Sequence, residues 1–251
     1  MREGRSTPTG LDPALRRDVR TLGDALGRVL VEQQGAPFLE TVELLRHAAM
    51  RARERGSGEV GELRDLVAGL DLDTRARVLR AFASYFQLVN LAEQHHRVRR
   101  LREGAAQQET LTRALELAGG AAVTASLGLV LTAHPTEATR RSVLQAQMQL
   151  TELLEEMDGA SADRREVLEL RLLEQVTILW QTDEVRSVRP SVSDEVRQML
   201  WFFERSLIAA AVELSDEWAA RVPGQEFPLS FGSWIGGDQD GHPDVGAEQL
   251  R

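Results

Sequence analysis

Leu127 to Leu144 reads LGLVLTAHPTEATRRSVL, and the fold turns on this stretch. It opens on an unbroken apolar run, Leu127-Gly128-Leu129-Val130-Leu131, the composition of a strand buried on both faces. Thr132-Ala133 and then His134-Pro135-Thr136 follow. Pro135 has no N–H to give a ladder and keeps His134 extended, so the strand must stop there. Thr136 is placed to cap a following helix, with Arg140 and Arg141 in its first turns. A titratable imidazole is thus left at the carboxyl end of a strand, where α/β folds bind ligands.

A second stretch near the end of the chain repeats this punctuation. Leu229-Ser230-Phe231-Gly232-Ser233-Trp234-Ile235 is extended in character and runs into Gly236-Gly237-Asp238-Gln239-Asp240-Gly241-His242-Pro243. Paired glycines let a backbone come close to a ligand, and their amides can hold an anion. Helical periodicity fills the interval. One helix runs along Val143, Gln147, Leu150 and Leu154 and breaks at Asp158-Gly159. The next starts at Asp163 with Val167, Leu170, Val176 and Trp180 inward. Ser193 caps a third, through Val196, Met199, Phe203, Leu207, Leu214 and Trp218, closed by Pro223-Gly224. Strands joined by such crossovers are expected to be parallel. Two of them cannot close a barrel and leave both edges open, so the expectation is the front part of a larger protein, with its further strands beyond Arg251.

Upstream, Leu15, Val19, Leu22, Leu26 and Val29 mark one amphipathic helix, and Phe38, Val42, Leu45 and Ala49 a second, stopped by Gly56-Ser57-Gly58. A short helix is expected around Leu63 to Leu70. Asp73 then caps a long one with Val78, Phe82, Phe86 and Val89 inward. Arg97, Arg99, Arg100 and Arg102 near its end complement the helix dipole; the sharper reading is a phosphate or effector site. His95-His96 point to different faces of this helix and make a poor metal site. No internal repeat or low-complexity segment is present.

Composition excludes several classes. A hydrophobic fraction of 42% in 251 residues supplies a sizeable core, and a net charge of -9 argues against a nucleic-acid binder. Without cysteine there is neither a disulfide framework nor a thiolate zinc site, which fits a cytoplasmic location. No apolar run approaches the ~18 residues of a membrane span, and the polar start lacks a signal-peptide core.

The candidate residues each have a plain alternative. An imidazole, with an ordinary pKa of about 6.5, moves protons near neutral pH, but a lone histidine is more often structural. Arg140 and Arg141 can grip phosphate or carboxylate oxygens bidentately, or form surface ion pairs. Asp238, Asp240 and His242 alternate as metal ligands do, yet a calcium loop fails because Pro243 and Gln249 replace its glycine and glutamate. The aspartates are expected to hold the loop through backbone hydrogen bonds. Trp234 either packs in the core or shapes a small-ligand pocket.

Four ordered stretches carry a resemblance. LVLTAHPTEATRRSVL resembles the histidine signature of the phosphoenolpyruvate carboxylase family, and FGSWIGGDQDGHPDV its glycine-rich signature. AFASYFQLVNLAEQHHRVRR and WQTDEVRSVRPSVSDEVR match in kind and order. Family members are several times longer, so the likeness is to their amino-terminal part. It implies a mainly α protein with a few parallel strands, part of a helix-rich (β/α)8 barrel. A disordered tail over 1–10 and a helical region over 11–120 would precede the start of the barrel over 121–251, with strands at about 127–133 and 229–236.

The reaction implied joins bicarbonate to phosphoenolpyruvate, giving oxaloacetate and phosphate with Mg2+ or Mn2+. His134 matches the essential histidine, Trp234 a tryptophan of the bicarbonate site, and Arg140 and Arg141 arginines tied to effectors and subunit contacts. By the same resemblance Gly236, Gly237, Asp238 and Asp240 match the substrate-binding loop. Gln239 and His242 depart from the family's arginine and asparagine, and Gly246 from a common threonine, so a weaker anion grip is expected. The metal-binding carboxylates and most substrate arginines are expected downstream, leaving these residues inactive alone. The family implies a homo-oligomer, a tetramer at full length. The alternative is a non-catalytic helical module binding phosphorylated metabolites through Arg140 and Arg141. A phosphorelay histidine fits poorly, because such a group sits exposed on a helix.

Overall fold

A computed structural model describes residues 12–55, 57–105, 126–132, 140–183 and 191–237. Among the described residues four helices come first: α1 (Pro13–Gln34), α2 (Ala36–Arg55), α3 (Ser57–Ala68) and α4 (Leu72–Ala105). Strand β1 (Leu127–Leu131) is followed by α5 (Arg141–Met157), α6 (Ala162–Gln181) and α7 (Val192–Phe202). A π-helical turn, Phe203–Leu207, leads into α8 (Ile208–Arg221) and then β2 (Leu229–Ser233). The protein is mostly helical with two parallel strands, as the periodicity predicts.

The chain divides into two compact units, one of Met1–Arg102 with Ser142–Asp183, the other of Glu103–Arg141 with Glu184–Arg251. In the first, α1 begins where the Asp12 side chain accepts the Ala14 N–H at 2.9 Å, with Pro13 in the first turn. Its apolar stripe, Leu15, Leu22, Leu26, Val29 and Leu30, is buried against α2 and α6. Leu22, Leu30, Leu88, Leu150, Leu168 and Leu172 are fully enclosed, each contributing about 2 kcal/mol by burial.

Several expectations are corrected. Asp71, not Asp73, caps α4: its carboxylate accepts the Thr74 N–H and hydroxyl, each at 2.8 Å, while Asp73 pairs with Arg77. α2 ends at Arg55, where the Gly56-Ser57-Gly58 break is expected, but α3 already starts at Ser57, with Gly58 in its first turn. α6 starts at Ala162, one residue ahead of Asp163, with Ser161 as its cap and Asp163 in the first turn, where it serves the helix dipole. Ser191 rather than Ser193 caps α7, in a reciprocal capping box with Asp194. Val167 and Leu170 face solvent, with Leu168 and Leu172 in the core in their place, while Val176 and Trp180 are buried as expected. Phe86 and Leu214 are exposed, and Ala48 is buried in place of Ala49.

In the second unit β1 and β2 pair parallel, in register from Leu127 with Leu229 to Leu131 with Ser233. The sheet is not buried on both faces as its apolar run implies: Leu127 is 51% and Val130 55% exposed. A parallel pair shares a single ladder, and its side chains need a layer on each face. From the helical side, Phe203 packs edge-on against Phe231 of β2 with ring centroids 5.0 Å apart. The π-helical turn is one extra residue of winding, which rotates Phe203 relative to the face of α7. Trp218 of α8 lies against Phe227 just ahead of β2.

Candidate functional site

The parallel register makes the carboxyl ends of the strands level, Leu131 beside Ser233. One residue further on, the Trp234 N–H donates to the Leu131 carbonyl at 3.0 Å. The ladder therefore continues one bond past β2, and Trp234 leaves the sheet directly beside the end of β1. Its indole is 55% exposed, so the tryptophan is not a core residue. Leu127 at the other end is tied in turn, its N–H donating to the Pro228 carbonyl at 2.7 Å.

After Trp234 the chain turns. The Ile235 N–H donates to Ser233 Oγ at 3.1 Å, and the Gly237 N–H to the Trp234 carbonyl at 3.0 Å. Gly236 sits at φ +73, the left-handed region, which strains any residue with a Cβ. A Cβ there would meet Val192 of α7 at 3.6 Å, an ordinary contact, so backbone conformation rather than space requires glycine. A Cβ on Gly237 would meet nothing closer than the Trp234 carbonyl, at 3.7 Å.

Arg141 opens α5 and Arg140 immediately precedes it, so the pair straddles a helix start instead of lying within the first turns. The Arg141 guanidinium reaches the Arg197 carbonyl of α7 at 3.4 Å, and the Nε of Arg140 is buried. His134, Asp238 and Asp240 lie outside the described residues, as do Thr136, Gln239, His242 and Gly246. The described part of the site is thus a strand rim, an exposed indole and the entry to a glycine turn. Among the described residues no three carboxylates or imidazoles gather as metal ligands, so they do not fit a Mg2+ or Mn2+ site.

A second polar cluster went unread in the sequence. Asp18, buried within the apolar stripe of α1, receives Arg99 Nη2 at 2.8 Å. The same guanidinium donates to Asp158 in the turn after α5, from Nη2 at 2.9 Å and Nε at 3.0 Å. Arg17 reaches the other Asp158 oxygen at 2.6 Å. Buried His95 places Nε2 2.8 Å from Arg99 Nη2. Burial presses the Arg99 pKa down, but hydrogen bonds and charge from Asp18 and Asp158 outweigh it and hold the group above its ordinary value. Arg102 pairs with Glu155 at 3.1 Å. The basic run ending α4 is therefore partly turned inward, against the effector reading for Arg99. The signal was present: an aspartate between Leu15 and Leu22 demands a cation.

The sequence profile of the family described as phosphoenolpyruvate carboxylase matches residues 15–251. The phosphoenolpyruvate carboxylase of Alcanivorax borkumensis is 38% identical over 94% of this chain and 30% of its own length. That of Pseudomonas aeruginosa is 38% identical over 96% of the chain and 30% of its own length. That of Ralstonia nicotianae, also 38% identical, is covered over 27% of its length by 96% of the chain. The chain spans less than a third of the length of these relatives. Among the described residues no helix is long and apolar enough to cross a membrane.

Proposed function

The chain belongs to the phosphoenolpyruvate carboxylase family, and we propose that it supplies the first wall of a cytoplasmic carboxylase site, at the start of a (β/α)8 barrel completed by sequence that it does not contain. The observation that carries this reading is the Trp234 to Leu131 hydrogen bond at level strand ends. It starts both motif-bearing segments, Thr132 onward and Trp234 onward, from one rim. The exposed apolar faces of β1 and β2 support the same reading, since a parallel pair calls for neighbouring strands and covering helices.

On this reading an oxygen of bicarbonate attacks the phosphorus of phosphoenolpyruvate. The bond from phosphorus to the enol oxygen breaks, leaving carboxyphosphate and the enolate of pyruvate. His134 takes the proton of the carboxyphosphate carboxyl. The carbon–oxygen bond to phosphate then breaks, releasing carbon dioxide and inorganic phosphate. The enolate carbon captures the carbon dioxide, forming oxaloacetate. Trp234 walls off the bicarbonate side, because an enolate open to water is protonated to pyruvate. Gly236 and Gly237, with Asp238 and Asp240, shape the loop against the anion. A divalent ion would polarise the enol oxygen.

The test compares residues 1–251 with a chain carrying the whole barrel, measuring oxaloacetate from phosphoenolpyruvate, bicarbonate and magnesium. Turnover by the longer chain and none by residues 1–251 is the expected result. Robust turnover by the 251 residues alone would overturn the division of the site.

A further inference from the structure

Helix α5 is charged against its own dipole. Arg140 and Arg141 stand at its start and Glu155, Glu156 and Asp158 at its end, with no acid in the first turn and no base in the last. Each of these charges sits at the end that disfavours it. The three acids are nevertheless all paired, and every partner comes from another helix. Arg102 of α4 takes Glu155, and Arg164 and Arg171 of α6 take Glu156. Arg17 of α1 and Arg99 of α4 take Asp158. A local rule broken at both ends of one helix points to a demand made from outside that helix.

The apolar face of α5 shows what that demand is. Its buried residues are Val143, Ala146, Leu150, Leu153, Leu154 and Met157. A slide of one turn, about 5.4 Å, carries Leu150 to the place of Ala146, Leu154 to that of Leu150 and Met157 to that of Leu153. Apolar packing therefore resists movement of α5 along its axis only weakly. The charges at its end resist it strongly. Arg99 Nε and Nη2 both donate to one Asp158 oxygen, at 3.0 and 2.9 Å, and Arg17 donates to the other at 2.6 Å. The same Arg99 Nη2 reaches buried Asp18 of α1 at 2.8 Å. Planar guanidinium bonds of this kind fix position as well as balance charge. Buried ion pairs are poor sources of net stability, and their best-attested use is to select one register.

We propose that Asp158 is a positioning residue, which with Arg99 and Arg17 locks the axial register of α5 and so fixes the stretch that leads into it. That stretch is the histidine signature, whose last four residues, Arg141 to Leu144, open α5. The link to catalysis rests on the carboxylase reading above, in which His134 takes a proton and must stand within hydrogen-bond reach of the group that gives it. A misplacement of about 1 Å at such a group costs about a hundredfold in rate.

Asp158 is the residue to change. Its side chain is 33% exposed, and Arg99 keeps Asp18 without it, so no buried charge is stranded. Taking an acid away from the C-terminal end does not weaken α5 itself. The chain has no cysteine, so Glu93→Cys on α4 and Gln145→Cys on α5, both exposed, carry spin labels at those two sites alone. Asp158→Ala should broaden or displace the distance between the labels by up to about 5 Å, one helical turn. Glu156→Ala, which loses ion pairs to α6 only, should leave it as in the parent. In a chain carrying the whole barrel, Asp158→Ala should lower kcat by about tenfold or more while the KM for phosphoenolpyruvate stays within about twofold. Asp158→Glu, which returns a carboxylate to the two arginines, should recover most of that loss. An unchanged distance would overturn the lock. A displaced α5 with normal kcat, or a loss confined to KM, would overturn the link to catalysis. If the parent of the longer chain makes no oxaloacetate, the carboxylase reading falls, while the distances still decide the lock.

Discussion

Trp234 and Leu131 are joined by a 3.0 Å backbone hydrogen bond, although a hundred residues of chain, most of it helical, separate them. Because the bond is made by the main chain, it survives any side chain at 234 except proline, which has no N–H to donate. The indole can thus be removed without disturbing the rim on which it sits.

In a chain carrying the whole barrel, Trp234→Ala should raise the KM for bicarbonate by about tenfold while the sheet stays intact. His134→Asn should abolish carboxylation, a loss of at least the 10²–10⁴-fold typical of a removed proton-transfer group. Steady-state assays with each substrate varied check both. Carboxylation persisting near its normal rate in His134→Asn would show that the imidazole does not carry the proton.

The two glycines of the turn should respond differently. Gly236→Ala forces a Cβ into the left-handed region and should cost about 1–2 kcal/mol. Gly237→Ala, whose Cβ meets only ordinary contacts, should cost far less. Urea titration followed by tryptophan fluorescence separates them; equal losses would mean that space, not backbone conformation, governs the turn.

Arg99→Leu removes the closer cation from buried Asp18 and leaves it only the 3.4 Å contact from Arg17. Breaking a buried pair from one side costs about 3–5 kcal/mol. Adding Asp18→Asn should recover a good part of the loss, since it removes the stranded charge. Thermal melts of the single and double variants give the coupling, and an additive pair of losses would count against a shared cluster.

Asp71 is held below the ordinary carboxylate pKa by the Thr74 N–H first and then by the Thr74 hydroxyl. Its stabilisation of α4 is therefore complete above the unfolded-state pKa and is lost as pH falls through the lower folded-state value. Asp71→Ala should be less stable than the parent at neutral pH. The difference should close on acidification below the usual carboxylate range, as a series of melts against pH would show.

Much of this was legible in the chain itself. The parallel pairing of β1 and β2 follows from Leu127–Leu131 and Leu229–Ser233 with only helical spacing between. The buried stripe of α1 follows from Leu15, Leu22, Leu26 and Val29. What misled was local. Asp71 and Asp73, or Ser191 and Ser193, are equally good caps by residue type, and hydrogen-bond geometry alone chooses. Val167 and Leu168 are equally apolar, so the partner helices decide which of the two is buried. Phe86 has the helical spacing of a core aromatic, yet it is exposed. The apolar run of β1 correctly signals a demand for burial, but a sequence cannot say which part of a protein meets that demand. At the candidate site the indole and the glycine turn were readable from type and order; the rung joining Trp234 to Leu131 was not, because register is a tertiary property.

The route between the paired strands also bears on how the protein is made. At a synthesis rate of 5–20 residues per second, the roughly one hundred residues from Leu127 to Leu229 take about 5–20 s to emerge. For that interval the ribosome has delivered an apolar strand whose pairing partner does not yet exist. Nascent β1 is thus a natural client for chaperones, and a pause in translation ahead of Leu229 would lengthen the time during which it can aggregate.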